Sequence, residues 1–213
     1  MKPFFVFSGQ GAQSVGMGKD LYESSPAAKA IFDAADEALG YSLTSIIFSG
    51  SDEELTRTCY CQVAIYTMSC AALEAFKARF PGVEAVGCAG LSLGEYGALY
   101  AAGAFHSRLM ADAGRALKPV LDEVAFAMPA VPVYHNYTAA VAKDADELRA
   151  NLASQVAGSV RWDDCVRAMV SAGGDTMIEF GPGNVLTKLC SRSLPEVATF
   201  NVNSAAALDA LSF

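Results

Sequence analysis

Gly90-Leu91-Ser92-Leu93-Gly94 constrains this chain more than any other segment. An apolar run, Val83 to Leu91, leads into it, and an alanine-rich, helix-favouring stretch, Glu95 to Ala102, leads out. Strand, sharp turn and helix in that order put the central serine of a G-x-S-x-G sequence on an elbow. The flanking glycines allow the backbone to turn tightly, so Ser92 is expected to project its hydroxyl at a helix N-terminus. There the amide of Leu93 and the positive end of the helix dipole would meet a developing oxyanion. The expectation is a serine nucleophile rather than a structural turn.

With 213 residues, 53% of them hydrophobic, the chain can bury one sizeable core, and residues 1–213 are read as a single domain. The net charge is −8, with no basic stripe and no interleaving of aromatic and basic residues, which argues against nucleic acid as a partner. The N-terminal MKPFFVFSGQGAQ holds one lysine and an apolar run of five residues before a polar, glycine-rich turn. That is too short for a signal-peptide core, and no later run reaches the length of a membrane span. The six cysteines lie mostly inside apolar segments, none in C-x-x-C spacing, and there are two histidines, so a zinc site is not expected. They read as reduced core thiols of a cytoplasmic protein, Cys59 and Cys61 forming the one exposed-looking pair.

Apolar runs alternate with helical patterns along the chain. Strands are expected at Phe4–Phe7, Val83–Leu91, Val131–His135, Thr176–Phe180 and Ala198–Val202. Helices are expected at about 25–39, 62–80, 95–102, 108–124, 144–155, 162–172 and 185–191, with a short one from Ser204. This alternation predicts an α/β fold with a mostly parallel sheet and helices on both faces.

A serine nucleophile needs a base, and the histidines are His106 and His135. His135 ends the apolar VPVYH strand and is read as a histidine satisfied by its neighbours. His106 precedes the amphipathic pattern that starts near Arg108, where the helix dipole favours a neutral imidazole able to accept a proton, so His106 is the favoured base. A second glycine-rich segment, Ser8-Gly9-Gln10-Gly11-Ala12-Gln13, directly follows the first strand. It has neither G-x-G-x-x-G spacing nor a P-loop lysine, so phosphate cradling fits it poorly. A loop leaving a parallel strand can instead aim a backbone N–H into the crevice where such sheets bind ligands. A plain glycine-rich turn remains the alternative reading.

With SGQGAQ at 8–13, GLSLGEY at 90–96, AFHSRLM at 104–110 and EFGPGNVL at 179–186, the chain resembles the malonyl-CoA:acyl carrier protein transacylase family. MGKDLYE at 17–23 and VRW at 160–162 extend the likeness over nearly the whole chain. The resemblance implies an α/β-hydrolase-like acyltransferase core. It also implies Ser92 as the nucleophile that takes the acyl group from coenzyme A, and His106 as general base. The backbone amides of Gln10 and Leu93 match the family's oxyanion hole. Gln155 matches the glutamine whose main-chain carbonyl orients the histidine, in the place of a carboxylate. The cycle it implies is ping-pong, ending with attack by the phosphopantetheine thiol of acyl carrier protein. Malonyl-CoA and acyl carrier protein are then the expected partners, no separate cofactor is expected, and the chain is expected to act as a monomer.

The likeness breaks at about 103–105, where AAGA runs straight into FHSRLM. Family members carry there the rest of a helix, an arginine that pairs with the malonyl carboxylate, and an inserted ferredoxin-like small subdomain. About 100 residues, a domain's worth of chain, are absent. Loss of that arginine is expected to weaken selectivity for malonyl over neutral acyl groups, and loss of one cleft wall to admit water to the acyl-enzyme. A helix from Leu93 to Ala102 is about 15 Å long, and three extended residues reach back about 10 Å. The fold is therefore expected to survive with the Ser92–His106 pair loosened and the transfer activity impaired. A serine esterase or thioesterase using Ser92 and His106, and an inactive scaffold, are the alternatives. For an acidic carrier, docking would need a local basic patch; Arg108, Arg115 and Lys118, or Lys188 with Arg192, are candidates, although an ordinary solvated face is the preferred reading of both.

Overall fold

A computed structural model describes residues 1–102, 124, 126–155 and 159–212. Five parallel strands form one sheet: β1 (Pro3–Phe7), β2 (Gly87–Gly90), β3 (Val133–Tyr134), β4 (Thr176–Phe180) and β5 (Ala198–Val202). Their order across the sheet is β3-β2-β1-β4-β5. β1 sits at the centre, with Phe7 opposite Gly90 on one side and Phe180 on the other. All five of its residues are buried, the continuous apolar reading of a parallel strand covered on both faces.

Alternation along β1 divides the core in two. Phe5 and Phe7 face one layer, where Phe5, Phe76 and Phe180 meet edge to face with centroids 5.0–5.6 Å apart and Phe7 stacks on Phe180 at 5.5 Å. That layer is built by α2 (Pro26–Leu39), α5 (Thr58–Arg79) and α6 (Gly94–Ala101), with α7 (Ala145–Gln155) at its margin. Phe4 and Val6 face the opposite layer, packed by Cys165, Val166 and Met169 of α8 (Trp162–Ser171) and Leu186 and Cys190 of α9 (Val185–Ser193). A final turn of helix, α10 (Ala205–Asp209), is capped by Ser204. Helices on both faces of a parallel sheet are the architecture expected from the sequence. Among the described residues, no helix is long and apolar enough to cross a membrane.

Several boundaries differ from expectation. β2 begins at Gly87 rather than Val83: the ladder to β1 opens with Val86 N–H on Pro3 O, Lys2 before it bonds to Asp175, and Val83 N–H turns back to Phe80 O. β3 is confined to Val133–Tyr134, pairing with Cys88 and Ala89, after which His135 and Asn136 turn away. The long helix α5 starts at Thr58, before Gln62, so Cys61 is buried and Cys59 alone of the six free cysteines is exposed. Three short helices were not expected: α1 (Lys19–Ser24), α3 (Leu43–Ser49) and α4 (Asp52–Thr56). Ser42 and Ser51 cap α3 and α4 by accepting from the Ser45 and Glu54 amides. The junction at 103–105 and the helix expected at 108–124 fall outside the described residues, apart from Val124.

Candidate active site

Ser92 stands where β2 turns into α6, exposed, with φ at +54°. A non-glycine residue held in the left-handed region costs about 1–3 kcal/mol and persists where its surroundings over-determine it. Here they do. Leu91 O accepts from the Gly94 amide at 3.0 Å, and Ser92 O accepts from the Glu95 amide at 3.0 Å. A Cβ on Gly90 would collide with the Gly94 carbonyl, and a Cβ on Gly94 with the Phe7 carbonyl, so both glycines are required by contact. The elbow therefore lies directly on the end of the central strand.

The loop after β1 closes over the same place. A Cβ on Gly9 would strike the Leu91 carbonyl, which sets Ser8-Gly9-Gln10 against the elbow. Among the described residues, neither the Leu93 nor the Gln10 amide donates to any protein acceptor. Leu93 is buried at the head of α6, and Gln10 is exposed with its Oε1 3.4 Å from Gln62 Nε2. The EFGPGNVL segment braces this loop. Ser8 Oγ donates to Pro182 O at 3.0 Å. Buried Glu179 accepts from the Leu186 and Thr187 amides at 3.1 and 2.8 Å, so its carboxylate faces the positive N-terminus of α9.

On the other side of the elbow lies a buried set of side chains, two of which, Asn136 and Glu95, the sequence did not single out. Asn136 Oδ1 accepts the Ser92 amide at 3.2 Å, and Asn136 Nδ2 donates to Gly90 O at 2.7 Å and to Glu95 Oε2. Glu95 Oε2 also accepts the Asn136 amide at 2.8 Å, and its Oε1 meets His135 Nδ1 at 2.6 Å. Glu95, His135 and Asn136 are all at most 1% exposed. His135 is thus the histidine satisfied by its neighbours that its place at the end of an apolar strand suggested. Asn136 and Glu95 were missed because nothing local announces a bond across 41 residues of sequence.

The remaining expected site residues are Gln155 and His106. Gln155 closes α7, with its side-chain Oε1 buried and unpartnered among the described residues. His106 lies outside the described residues. Cysteine is no rival nucleophile in the core, since burial pushes the Cys70, Cys88 and Cys165 thiols up to about 12. Among the described residues no group of three His, Cys, Asp or Glu side chains is placed to hold a metal ion.

A doubly covered parallel sheet carrying a serine elbow after its second strand is the frame of an α/β enzyme that works through a serine, and residues 4–105 match a family model described as an acyl transferase domain. Malonyl CoA-acyl carrier protein transacylase of Bacillus subtilis is 30% identical over 295 aligned positions, covering 93% of this chain and 92% of the relative. The enzyme of the same name from Synechocystis is 27% identical, covering 99% and 100%. The crystal structure of acyl-carrier-protein-S-malonyltransferase from Bartonella henselae superposes with a TM-score of 0.89 at 26% identity, over 99% of this chain and 98% of that one. The chain belongs to the malonyl CoA-acyl carrier protein transacylase family. It is shorter than its relatives: an alignment of 295 positions has to step over residues that a chain of 213 does not have.

Proposed function

We propose that this chain transfers a malonyl group from coenzyme A to the phosphopantetheine thiol of acyl carrier protein, through an ester on Ser92. The observation that carries the reading is the left-handed Ser92 at the head of α6, wedged against the loop after β1. Ser92 Oγ attacks the thioester carbonyl, its proton passes to the base, and the coenzyme A thiol leaves. The carrier thiol then attacks the ester and Ser92 is released. The Leu93 and Gln10 amides, both without protein acceptors among the described residues, are the proposed oxyanion donors. His106 is the proposed base, oriented by the Gln155 carbonyl. The coenzyme A thioester is substrate, and no further cofactor is invoked. The relatives are transferases, so a hydrolase reading is not favoured. Without the family's arginine, discrimination between malonyl and neutral acyl groups is expected to fall. A cytoplasmic, monomeric, single-domain protein is part of the proposal, supported for the compartment by the six free cysteines.

The test is intact mass after mixing with malonyl-CoA, followed by addition of the carrier, for the parent and for Ser92→Ala, His106→Ala and His135→Ala. One malonyl adduct that needs Ser92 and moves to the carrier supports the reading. Hydrolysis without transfer, or an adduct that survives Ser92→Ala, sinks it. Loss of activity in His135→Ala with His106→Ala intact would reassign the base.

A further inference from the structure

Beneath the elbow, the structure buries a carboxylate, an imidazole and a carboxamide in one connected set, and the transfer chemistry uses none of them. We propose that Glu95 and His135 act as a single buried clamp that fixes Asn136, and that Asn136 in turn holds the Ser92 backbone in its attacking geometry. All three are then positioning residues.

Hydrogen-bond bookkeeping leaves the clamp one arrangement. Asn136 Nδ2 donates to two oxygens, Gly90 O and Glu95 Oε2, while Oδ1 receives the Ser92 N–H. Turning the carboxamide over would set oxygen against two oxygens and NH2 against an N–H. The orientation of Asn136 therefore depends on Glu95 being an acceptor. Glu95 Oε2 is taken up by the Asn136 amide and side chain, which leaves Oε1 to His135 Nδ1. With the carboxylate accepting, Nδ1 carries the proton. The His135 carbonyl is held as well, by the Ala139 amide at 2.8 Å, and Asn136 O accepts the Arg161 amide at 2.9 Å. The end of β3 is thereby anchored to the head of α8.

An apolar set would fill this space at lower desolvation cost. What the polar set supplies, and apolar side chains do not, is a directed acceptor for the amide of a residue whose backbone is strained. Glu95 sits three residues after Ser92 on the first turn of α6, so the clamp ties the start and the centre of the elbow, Gly90 O and Ser92 N, to the segment that follows β3. Displacement of a reacting group by about 1 Å costs about 10²-fold in rate.

The experiment combines two readouts on the parent, His135→Phe, His135→Gln and Glu95→Leu. The first is hydrogen exchange at the Ser92 amide, resolved by NMR or fragmentation mass spectrometry. The second is the pre-steady-state rate and half-saturation concentration for acylation of Ser92 by malonyl-CoA, which rests on the proposed function. Expected for His135→Phe is loss of protection at the Ser92 amide and an acylation rate about 100-fold lower, with half-saturation within about twofold of the parent. His135→Gln, which keeps a donor toward Glu95, restores most of both. Glu95→Leu removes both acceptor oxygens at similar volume, and reproduces the loss should His135→Phe not fold. Retention of Ser92 protection and of the rate in the folded disruptive variants overturns the proposal, as does equal loss in His135→Gln and His135→Phe. If malonyl-CoA leaves no adduct on the parent, the proposed function fails, while amide exchange still decides the clamp.

Discussion

Gly94→Ala tests the contact between elbow and sheet most directly. A Cβ at position 94 would sit 2.7 Å from Phe7 C and 2.9 Å from Ser8 O, and closer still to Phe7 O. Every one of those atoms is backbone of the central strand or the loop that leaves it, so no side chain can swing aside. Overpacking of a core costs 1–3 kcal/mol, and a backbone-on-backbone clash belongs at the upper end, about 3 kcal/mol. At 2–4 °C per kcal/mol for a chain of this size, Tm should fall by about 6–12 °C. Two comparisons calibrate the number. At Gly97 the new methyl meets Phe7 Cγ and Cδ1 at 2.8 Å and Cβ at 3.1 Å, the root of a buried side chain. Alanine there gains up to about 1 kcal/mol of helix propensity, so the net cost should be about 2 kcal/mol and Tm should fall by about 4–8 °C. At Gly82 nothing lies within 4 Å, and Tm should stay within about 2 °C. Calorimetry on the three variants decides the matter. A Gly94→Ala protein melting within about 2 °C of the parent, or a rank order with Gly97→Ala worst, would refute the argument that the elbow rests on the strand backbone.

Glu179→Gln removes the charge that accepts the first amides of α9, and should cost about 2 kcal/mol, read as a lower Tm; an unchanged Tm would refute its capping role. Phe180→Ala deletes the ring that touches Phe5, Phe7 and Phe76, and should cost about 3–5 kcal/mol in denaturant titration, more than any single surface substitution. Native-state thiol titration near neutral pH should find one fast cysteine, Cys59, and Cys59→Ser should abolish it. Burial raises the Cys70, Cys88 and Cys165 thiols from an ordinary 9 to about 12, so unfolded thiols ionise first and stability should fall as pH rises across that window; a flat stability profile from 9 to 12 would contradict the burial.

The parts of the fold legible in the sequence are those with local punctuation. Thr176–Phe180 is bracketed by Gly173-Gly174-Asp175 and by Gly181, and the strand forms with those ends. Ser25-Pro26 announces α2, and Ser25 Oγ accepts the Ala28 amide as a cap should. What stayed hidden depends on distant partners. Val83 to Ala85 look like strand, yet β1 starts too late to pair with them. Ser51 and Glu54 do spell a capping signal, overlooked because α4 is five residues long. At the site, Ser92 and its glycines were readable because one turn demands them, whereas Asn136 and Glu95 acquire their roles when β3 is laid beside β2.

The position of β1 also orders events in time. β1 is made before either of its neighbours, and it is hydrogen-bonded on one flank to residues 87–90 and on the other to residues 176–180. Its second edge therefore stays open until most of the chain has been made, and such distant pairings are slow to form. During that interval an apolar strand with unsatisfied amides is exposed to other strands in the cell. A nascent chain stalled after the elbow would hold every residue of the G-x-S-x-G turn and still lack the β4 neighbour on which Phe7, the floor of that turn, depends. Synthesis from the N-terminus thus postpones a fully supported elbow until residues 176–180 have been made and laid beside β1.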